Sequence, residues 1–439
     1  MTRIESARHG RITDEMRDVA HAENLAADDI CRLLAEGKLV IPKNRKRDFT
    51  PIGIGEGLKT KVNANIGTSQ SRCDMAHELR KLDTAVQAGA DAVMDLSTGP
   101  GREDMLHAVL ERSPVMVGTV PLYNAVAGYL ETGRDCAEIT PDDIFREIEA
   151  QAAAGVDFVT LHCGITRHSL SVLEGCGRLM GMVSRGGSLT AEWIKKNERE
   201  NPLYEEFDRL IEIARAYDMT LSLGDGLRPG TIFDAGDRAQ VTELIILGEL
   251  TRRAVSAGVQ VMVEGPGHVP LSLIANDIRQ QKRFCNGAPY YVLGPLPTDC
   301  AAGHDHIAGA VGGAIAAAAG ADFLCYVTPA EHLSLPGIDD VREGVMASKI
   351  AAHIGDLEKN IPGARTRDRL MTEARNRFDW EAMFDQAIDP EKARRLHDRA
   401  DHPGADTDAC SMCGDLCALK TWERAASGKT IGTPPDRNP

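Results

Sequence analysis

Short runs of β-prone residues recur about every 30 to 40 positions between residues 61 and 327, and a helical stretch follows most of them. This alternation is typical of βα units, in which crossover helices join parallel strands. A (β/α)8 barrel uses eight strands, and the short, glycine-interrupted run at 179–183 is the one that we expect to lie outside the barrel. The nine candidate strands are 61–65, 92–95, 115–120, 158–162, 179–183, 219–223, 260–263, 290–293 and 322–327.

The regions on either side of these repeats are different in character. Residues 1–60 have the pattern of a helical, loop-rich lead-in, in which an apolar helical period covers 26–35 and Ile41-Pro42 is expected to end the helix. Beyond residue 337 the sequence becomes helical again. We therefore predict an α/β protein with a lead-in over 1–60, a catalytic (β/α)8 barrel over 61–337, and a helical extension over 338–439 that carries a cysteine-rich loop.

Composition narrows the possible partners. The chain has 439 residues, with 50 Lys and Arg against 65 Asp and Glu, so its formal net charge is −15. This balance argues against binding to nucleic acid or to an anionic membrane, because neutralising phosphates needs a surplus of basic side chains. The weakly polar run 308–321 is too short to span a bilayer, and residues 1–18 lack the pattern of a signal peptide. With 11 cysteines, the chain is expected in a reducing compartment, the cytoplasm, with few disulfides.

Three cysteines are clustered as C-x2-C-x3-C at Cys410, Cys413 and Cys417. Thiolates this close can converge on one metal centre, and three interpretations are open. A [4Fe–4S] cluster bound by three cysteines keeps one iron free for a substrate or cosubstrate. A structural zinc usually takes four protein ligands, and the fourth would come from a distant residue such as His402. A redox dithiol would use Cys410 and Cys413 and leave Cys417 unexplained.

The segments that flank this motif are polar and rich in turn-forming residues. Residues 401–408 predict a flexible tether, and the residues after Lys429 predict a disordered tail. A flexible tether would allow the cysteines to reach a site elsewhere in the protein.

Reactive side chains follow nearly every candidate strand. In barrels of this class the active site gathers at the carboxyl ends of the strands, so a polar pocket is expected at one mouth. Any one of these residues alone is as easily explained as the cap of the next helix. The residues are Asn65, Asp95, Tyr123, His162, Ser184, Arg185, Asp225, Glu264, His268, Tyr291 and His332.

Two pairs of motifs indicate what this pocket binds. His268 and His332, at the ends of separate strands, can share a transition-metal ion, since neutral imidazole suits zinc or iron; the alternative is that each histidine only forms local hydrogen bonds. Ser184-Arg-Gly-Gly187 and Asp225-Gly-Leu-Arg-Pro-Gly230 both place an arginine beside glycines. Arginine binds phosphate through two parallel hydrogen bonds, and glycine lets backbone amides approach an anion. A small phosphorylated substrate would satisfy both motifs.

Together these motifs resemble the ThiC family of phosphomethylpyrimidine synthases, from about residue 60 to about residue 420. The length is similar to the short form of that family. The motifs are Asn63-Ala-Asn-Ile-Gly67, Val93-Met-Asp-Leu-Ser-Thr-Gly99, Gly118-Thr-Val-Pro121 with Tyr123, Val183-Ser-Arg-Gly-Gly-Ser188, Ser222-Leu-Gly-Asp-Gly-Leu-Arg-Pro-Gly230, Glu264-Gly-Pro-Gly-His268, Leu293-Gly-Pro-Leu296, Cys325-Tyr-Val-Thr-Pro329 with Glu331-His332, and Cys410-Ser-Met-Cys413-Gly.

The resemblance implies a radical S-adenosyl-L-methionine lyase that converts aminoimidazole ribotide to hydroxymethylpyrimidine phosphate. It implies that His268 and His332 bind a divalent metal, zinc or iron, and that Cys410, Cys413 and Cys417 hold a [4Fe–4S] cluster. It also implies a homodimer in which the C-terminal extension of one chain closes the active site of the other; the reductant protein is not identified. The implied substrate-binding residues are Asn65, Met94, Tyr123, His162, Ser184, Arg185, Gly186, Asp225, Gly226, Leu227, Arg228, Glu264 and Tyr291.

The chain departs from the family pattern in two places. Three residues separate Cys413 from Cys417, where many members have four. In Thr298–His306 the chain has Cys300, Ala302 and His304, where the family has Ile-Ala-Pro-Gly-Tyr before Asp-His. This change near the pocket leaves a second interpretation open, a paralogue of the family called 5-hydroxybenzimidazole synthase. That enzyme acts on the same aminoimidazole ribotide in anaerobic cobamide biosynthesis. An alternative of another class is a non-radical, metal-dependent barrel enzyme for a phosphorylated sugar, with structural zinc at the C-terminal cysteines.

Overall fold

A computed structural model describes residues 1–398, 410 and 412–427. The chain divides into two compact units, Met1–Pro362 and Gly363–Pro439. The predicted tether at 401–408, His402 and the predicted disordered tail after Lys429 lie outside the described residues. In the described part of the chain, no helix combines the length and the apolar character that crossing a membrane requires.

The lead-in is helical, as predicted, and ends in a small sheet. The predicted helix over 26–35 is α3, but its predicted end at Ile41-Pro42 is wrong. The helix stops at Ala35, because the amide of Lys38 turns back to the Leu33 carbonyl across Gly37, whose φ of 74° favours glycine. The elements are α1 (Arg3–Arg8), α2 (Asp14–Glu23), α3 (Ala27–Ala35), β1 (Leu39–Val40) and β2 (Ile54–Gly55), with β1 antiparallel to β2.

Eight parallel strands form a closed barrel, which confirms the predicted fold class. They follow one another in chain order, and the last strand pairs with the first through Phe323 and Lys61. The ninth candidate, 179–183, is not a strand, as expected; the amides of Leu179 and Met180 instead donate to the Asp234 carboxylate. The strands are β3 (Lys61–Ile66), β4 (Ala92–Asp95), β5 (Met116–Thr119), β6 (Phe158–Leu161), β7 (Thr220–Leu223), β8 (Val261–Gly265), β9 (Tyr290–Leu293) and β10 (Phe323–Cys325).

Helices surround the barrel, and several begin at a side chain that caps them. Asp74, Thr140, Ser184 and Asp237 each accept a hydrogen bond from an amide of the first helical turn, which otherwise lacks a partner. The helices are α4 (Met75–Gln87), α5 (Arg102–Arg112), α6 (Pro121–Glu131), α7 (Pro141–Ala154), α8 (Arg167–Glu174), α9 (Arg185–Asn197), α10 (Pro202–Glu205), α11 (Phe207–Tyr217), α12 (Arg238–Ser256), α13 (Leu271–Phe284), α14 (Asp305–Ala319) and α15 (Ile338–Glu358), with a 3-10 helix at Cys136–Glu138.

Large side chains fill the interior of the barrel below the carboxyl ends of the strands. The Phe323 ring stacks on Tyr291 at a centroid distance of 4.3 Å and meets Phe158 edge-on at 6.3 Å. Gly118 makes room for this packing, since a Cβ there would lie 2.2 Å from the Phe158 ring. Val40 of β1 and Ile54 of β2 belong to the same buried cluster, so the lead-in closes the amino end of the barrel.

The first compact unit ends after Pro362, not at the predicted boundary of 337/338. Helix α15 packs against α14, α4 and β3 of the barrel. Near its carboxyl end, Asp356 accepts hydrogen bonds from the Thr60 amide at 2.9 Å and the Thr60 hydroxyl at 2.7 Å. This helix therefore covers the barrel and is part of its core.

The second unit is helical, as predicted for the extension. Its described elements are α16 (Ala364–Arg377), α17 (Trp380–Gln386), α18 (Pro390–Asp398), a 3-10 helix at Gly414–Leu416 and α19 (Ala418–Ala426).

Candidate active site

A cavity opens at the carboxyl ends of the barrel strands, where the sequence predicts a polar pocket. About 560 Å³ of space lies between its lining atoms, part of it open to solvent. Eight of the predicted substrate residues line it, together with side chains that the sequence does not single out. The lining residues are Asn65, Met94, Leu96, Val120, Tyr123, Thr160, His162, Asp225, Arg228, Glu264, Gly265, Tyr291, Val292, Leu293 and Cys325.

Glu264, near the carboxyl end of β8, is held in the cavity wall by two hydroxyl groups. Its Oε1 accepts hydrogen bonds from Thr160 Oγ1 at 2.6 Å and from Ser222 Oγ at 2.7 Å. Burial raises the pKa of Glu264 to about 7, and the neighbouring Asp225 carboxylate adds to that rise. A carboxyl group with this pKa can gain or lose a proton near neutral pH.

Asp225 and Arg228 lie three residues apart on the turn that follows β7. The guanidinium of Arg228 donates to Asp225 Oδ1 at 3.1 Å, while Asp225 Oδ2 is buried without a partner among the described residues. Burial raises the pKa of Asp225 to about 6. Because buried polar atoms are normally hydrogen-bonded, this oxygen is a candidate acceptor for a ligand.

His162 lies at the end of β6 and contacts the start of α9. Its Nε2 is 3.1 Å from Ser184 Oγ. Burial lowers the pKa of His162 to about 3, with a further contribution from the Arg228 charge, so the imidazole is neutral. The close approach of α9 depends on Gly186, since a Cβ there would lie 2.2 Å from His162 Cε1.

The remaining predicted residues lie around the same cavity. Arg185 places its guanidinium 5.0 Å from the Tyr123 ring centroid, and Gly226 and Leu227 form the middle of the Asp225–Arg228 turn. Tyr291 Oη lies 2.7 Å from Asn63 Nδ2 and 3.6 Å from the sulfur of Met94. The structure thus brings the whole predicted substrate set to one mouth of the barrel.

Thr160 and Cys325 also line the cavity, although sequence reasoning missed both as site residues. Thr160 lies in a β-prone run, where threonine is ordinary, and a lone cysteine such as Cys325 is most simply explained as a small buried hydrophobic residue. The signal for Thr160 is its period of two with Phe158 and His162, which places the three side chains on one face of β6. Cys325 Sγ accepts a hydrogen bond from Asn65 Nδ2 at 3.2 Å.

His268 and His332 come together, as the metal hypothesis requires. Their ring centroids are 5.3 Å apart. The Nδ1 atom of His268 lies 2.7 Å from Asp299 Oδ1, and that of His332 lies 3.4 Å from Asp305 Oδ2. Carboxylates that engage Nδ1 leave Nε2 available, the arrangement common among metal-binding histidines. The donor set therefore fits a divalent zinc or iron ion.

The unusual segment Thr298–His306 keeps the two aspartates that contact these histidines. Asp299 Oδ2 also accepts hydrogen bonds from the Thr231 hydroxyl at 2.6 Å and the Ile232 amide at 3.0 Å. The substituted Cys300 is exposed, and its sulfur lies 3.2 Å from the Thr298 hydroxyl. The substitutions therefore leave the contacts of the histidine pair in place.

The three clustered cysteines lie in the second unit. Cys413 is exposed, while Cys410 and Cys417 are partly buried, and all three are free thiols. Among the described residues, the group of three metal-ligand side chains found within 4.8 Å is Asp135, Cys136 and Glu192, and Lys196 pairs with both of its carboxylates. Three cysteines within eight residues supply the ligands of a [4Fe–4S] cluster that keeps one iron open.

Comparison with known proteins relates the chain to one family. The sequence profile of the radical SAM ThiC family matches residues 2–424. The chain is 53% identical over 427 residues to a phosphomethylpyrimidine synthase of Syntrophus aciditrophicus, covering 97% of this chain and 100% of that protein. It is 55% identical over 421 residues to a phosphomethylpyrimidine synthase of Moorella thermoacetica, covering 96% and 97%.

Among solved structures, a dihydropteroate synthase from Thermus thermophilus is similar at 15% sequence identity and a TM-score of 0.40, over 72% of this chain and 99% of that one. A likeness this distant does not bear on the site.

Proposed function

Because the chain belongs to the radical SAM ThiC family, we propose that it is a phosphomethylpyrimidine synthase. In this proposal it is a radical lyase that converts aminoimidazole ribotide to hydroxymethylpyrimidine phosphate, the pyrimidine precursor of thiamin. The observation that carries the proposal is the polar cavity at the barrel mouth, which gathers the residues of the family motifs. The relatives given above share more than half of their residues with this chain over nearly its full length and carry that name. They favour the pyrimidine product over 5-hydroxybenzimidazole.

In this proposal the substrate lies between the start of α9, which carries Arg185, and the turn that carries Arg228. Arg185 and Arg228 supply the positive charge that a ribotide phosphate requires, and the adjacent glycines allow amides to approach it. Asp225 and Glu264 provide carboxylate oxygens for the nitrogen-bound hydrogens of the aminoimidazole. The remaining members of the substrate-binding set are Asn65, Met94, Tyr123, His162, Ser184, Gly186, Gly226, Leu227 and Tyr291.

Proton handling falls to Glu264, since its pKa lies near neutrality. His162, kept neutral by burial, acts as a hydrogen-bonding group and not as a cation. The Thr160 and Ser222 hydroxyls hold the Glu264 carboxylate in one orientation, so a rearranging substrate would meet a fixed acid–base group.

Two further groups complete the proposed enzyme. His268 and His332 would hold a divalent zinc or iron ion, which when bound supplies a Lewis acid at the cavity rim. Cys410, Cys413 and Cys417 would hold a [4Fe–4S] cluster, which when bound supplies the electron that cleaves S-adenosyl-L-methionine. The task of the barrel is then to position the substrate and exclude side reactions.

We further propose a cytoplasmic homodimer in which each C-terminal extension closes the partner's cavity. Large apolar side chains on loops after the strands support a cover of this kind. Phe233 is 78% exposed, Leu179 is 73% exposed and Leu333 is 62% exposed. Their exposure to water costs free energy that a covering protein surface would recover. The electron donor is a separate reductant protein.

The decisive experiment is anaerobic turnover. Protein reconstituted with iron and sulfide is incubated with aminoimidazole ribotide, S-adenosyl-L-methionine and dithionite, and the products are identified by mass spectrometry. We expect hydroxymethylpyrimidine phosphate. Hydroxybenzimidazole without pyrimidine phosphate would replace the proposal with the paralogue. A colourless, zinc-containing protein that acts on a sugar phosphate would replace it with the non-radical enzyme.

A further inference from the structure

We infer that Glu243 and Arg178 are positioning residues that hold the Asp225–Arg228 turn in its ligand-binding shape from behind the cavity wall. Neither side chain lines the cavity, and neither belongs to the substrate-binding set. The inference rests on the proposed function, because it concerns how this turn binds aminoimidazole ribotide.

Glu243 satisfies the two amides in the middle of the turn. Its Oε1 accepts a hydrogen bond from the Gly226 amide at 2.8 Å, and its Oε2 accepts one from the Leu227 amide at 2.6 Å. The residue is 2% exposed. A carboxylate is the side chain that presents two equivalent acceptors at this spacing, whereas a carboxamide presents one acceptor and one donor group.

Arg178 satisfies the carbonyls of the same turn. Its guanidinium donates to the Leu227 carbonyl at 2.6 Å and to the Arg228 carbonyl at 3.2 Å. Asp237 holds the guanidinium in place at 2.7 Å and 2.9 Å, and the Arg178 side chain is 2% exposed. The backbone between Asp225 and Arg228 is thus fixed by a buried carboxyl group on its amides and a buried guanidinium on its carbonyls.

The packing around Glu243 shows that this contact is built into the fold. A Cβ at Gly226 would lie 2.5 Å from Ile165 Cδ1 and 3.2 Å from Glu243 Oε1, and a Cβ at Gly164 would lie 2.7 Å from Glu243 Cγ. On the other side, a Cβ at Gly187 would lie 2.6 Å from the Gly226 carbonyl oxygen. Small residues therefore surround the turn wherever the carboxylate or α9 approaches it.

The turn matters because both of its ends carry side chains into the cavity. Asp225 and Arg228 line the cavity, and the Arg228 amide closes the turn by donating to the Asp225 carbonyl at 3.1 Å. A turn fixed before the ligand arrives loses less conformational freedom on binding, so affinity is higher. Loosening the turn from behind should weaken binding without removing any group that touches the ligand.

The test is the variant Glu243→Gln, which keeps the size of the side chain but leaves one turn amide without its acceptor. Isothermal titration of the unreconstituted protein with aminoimidazole ribotide should show a dissociation constant raised on the order of tenfold. Hydrogen–deuterium exchange at Gly226 and Leu227 should accelerate in the variant in the absence of ligand. Arg178→Lys, which keeps the charge but cannot reach both carbonyls and Asp237, should change both quantities in the same direction.

Asp157→Asn is the matched control. Asp157 is fully buried, and its two oxygens accept hydrogen bonds from the Asn44 and Val117 amides, both at 2.8 Å, but it precedes β6 at the opposite end of the barrel. It should lower the melting temperature and leave ligand affinity and turn exchange at wild-type values. If it weakens binding as much as Glu243→Gln does, the effect is general destabilisation and the inference is wrong.

The remaining outcomes also decide the matter. If Glu243→Gln folds and binds aminoimidazole ribotide with wild-type affinity, the positioning role is wrong. If Glu243→Gln does not fold, wild-type affinity in Arg178→Lys leads to the same conclusion. If wild-type protein does not bind aminoimidazole ribotide, the proposed function falls and the ligand role with it. In that case, faster hydrogen–deuterium exchange at Gly226 and Leu227 in Glu243→Gln would show that Glu243 stabilises the turn without a ligand role. Unchanged exchange would show that it does not stabilise the turn.

Discussion

Glu264 ties the stability of the unliganded barrel to pH. Burial raises the folded-state pKa of this carboxyl to about 7 from an ordinary value of 4.5. The folded protein therefore binds more protons than the unfolded chain across this interval, so the contribution is fully present below pH 4.5 and is lost as pH rises through 7.

Glu264→Gln removes this titration while keeping an acceptor for Thr160 and Ser222. The melting temperature of the variant, minus that of wild type, should therefore increase between pH 5 and pH 8. Thermal denaturation of ligand-free protein at a series of pH values measures the difference. A difference that stays constant with pH would show that Glu264 titrates as it does in water.

His268 allows the proposed metal site to be tested apart from catalysis. His268→Ala removes one of the two imidazoles, so we expect bound zinc or iron at this site to fall while the cluster iron remains. Elemental analysis of purified protein measures both. His107→Ala, which removes an exposed histidine of α5, is the control and should leave the metal content unchanged. Unchanged total metal in His268→Ala would place the ion elsewhere.

The sequence predicts the residues that line the cavity better than it predicts the residues that act on the cavity through other residues. Asp225, Arg228 and Glu264 stand at strand ends, where side-chain chemistry shows in the sequence. Glu243 lies inside α12, and its only sequence signal is its position on the buried stripe with Ala239 and Leu247. Which backbone group such a buried acid serves depends on the tertiary fold.

At the scale of elements, α9 is placed by glycine. Gly186 is helical, and alanine is favoured over glycine there by intrinsic propensity. A Cβ would nevertheless lie 2.2 Å from His162 Cε1, and His162 is buried. Gly186→Ala should therefore lower the free energy of unfolding by about 1–3 kcal/mol and weaken binding of aminoimidazole ribotide. Urea denaturation and calorimetric titration measure the two effects.

Gly175→Ala is the control for this substitution. Gly175 ends α8 with an ordinary φ of −89°, and a Cβ added there would have its nearest neighbouring atom 3.5 Å away. We expect wild-type stability and affinity. If both variants behave alike, the start of α9 has more freedom than its contact with His162 implies.

The periodicity of the sequence predicts the elements well and their roles less well. All eight barrel strands lie within two residues of their predicted bounds, because buried parallel strands are short apolar runs with clear ends. The run 179–183 has the composition of a strand but no partner in the sheet. Arg178, which directly precedes the run, donates to the Leu227 carbonyl of the Asp225–Arg228 turn. No local pattern reveals that long-range contact.

At the scale of the whole molecule, the proposed activity needs both compact units. The cavity belongs to the first unit, and the three clustered cysteines belong to the second. Cys413→Ala should abolish turnover and the brown absorbance after reconstitution, while the circular dichroism of the folded protein is kept, since this exposed thiol contributes little to a core. Cys73→Ala, which removes an exposed thiol of the first unit, should retain both activity and colour. Loss of soluble protein in Cys413→Ala would favour structural zinc.

The division of the chain is the part of the architecture that the sequence predicts least directly. Residues 338–358 have a helical pattern like the residues after them, so the change from alternating to purely helical sequence suggests a boundary at 337/338. Its contacts with Thr60, through Asp356, decide otherwise. Such contacts join residues nearly 300 positions apart, and local periodicity carries no record of them.

The aromatic side chains packed inside the barrel determine how a ligand reaches the cavity. The rings of Phe158, Tyr291 and Phe323 fill the interior of the barrel, and Val40 and Ile54 close its amino end. Among the described residues, the amino end of the barrel is therefore closed, and a ligand enters and leaves the cavity at the carboxyl ends of the strands. Product must therefore leave the cavity before the next substrate molecule can enter it, and a surface that covers the cavity in the proposed dimer would have to open in every catalytic cycle.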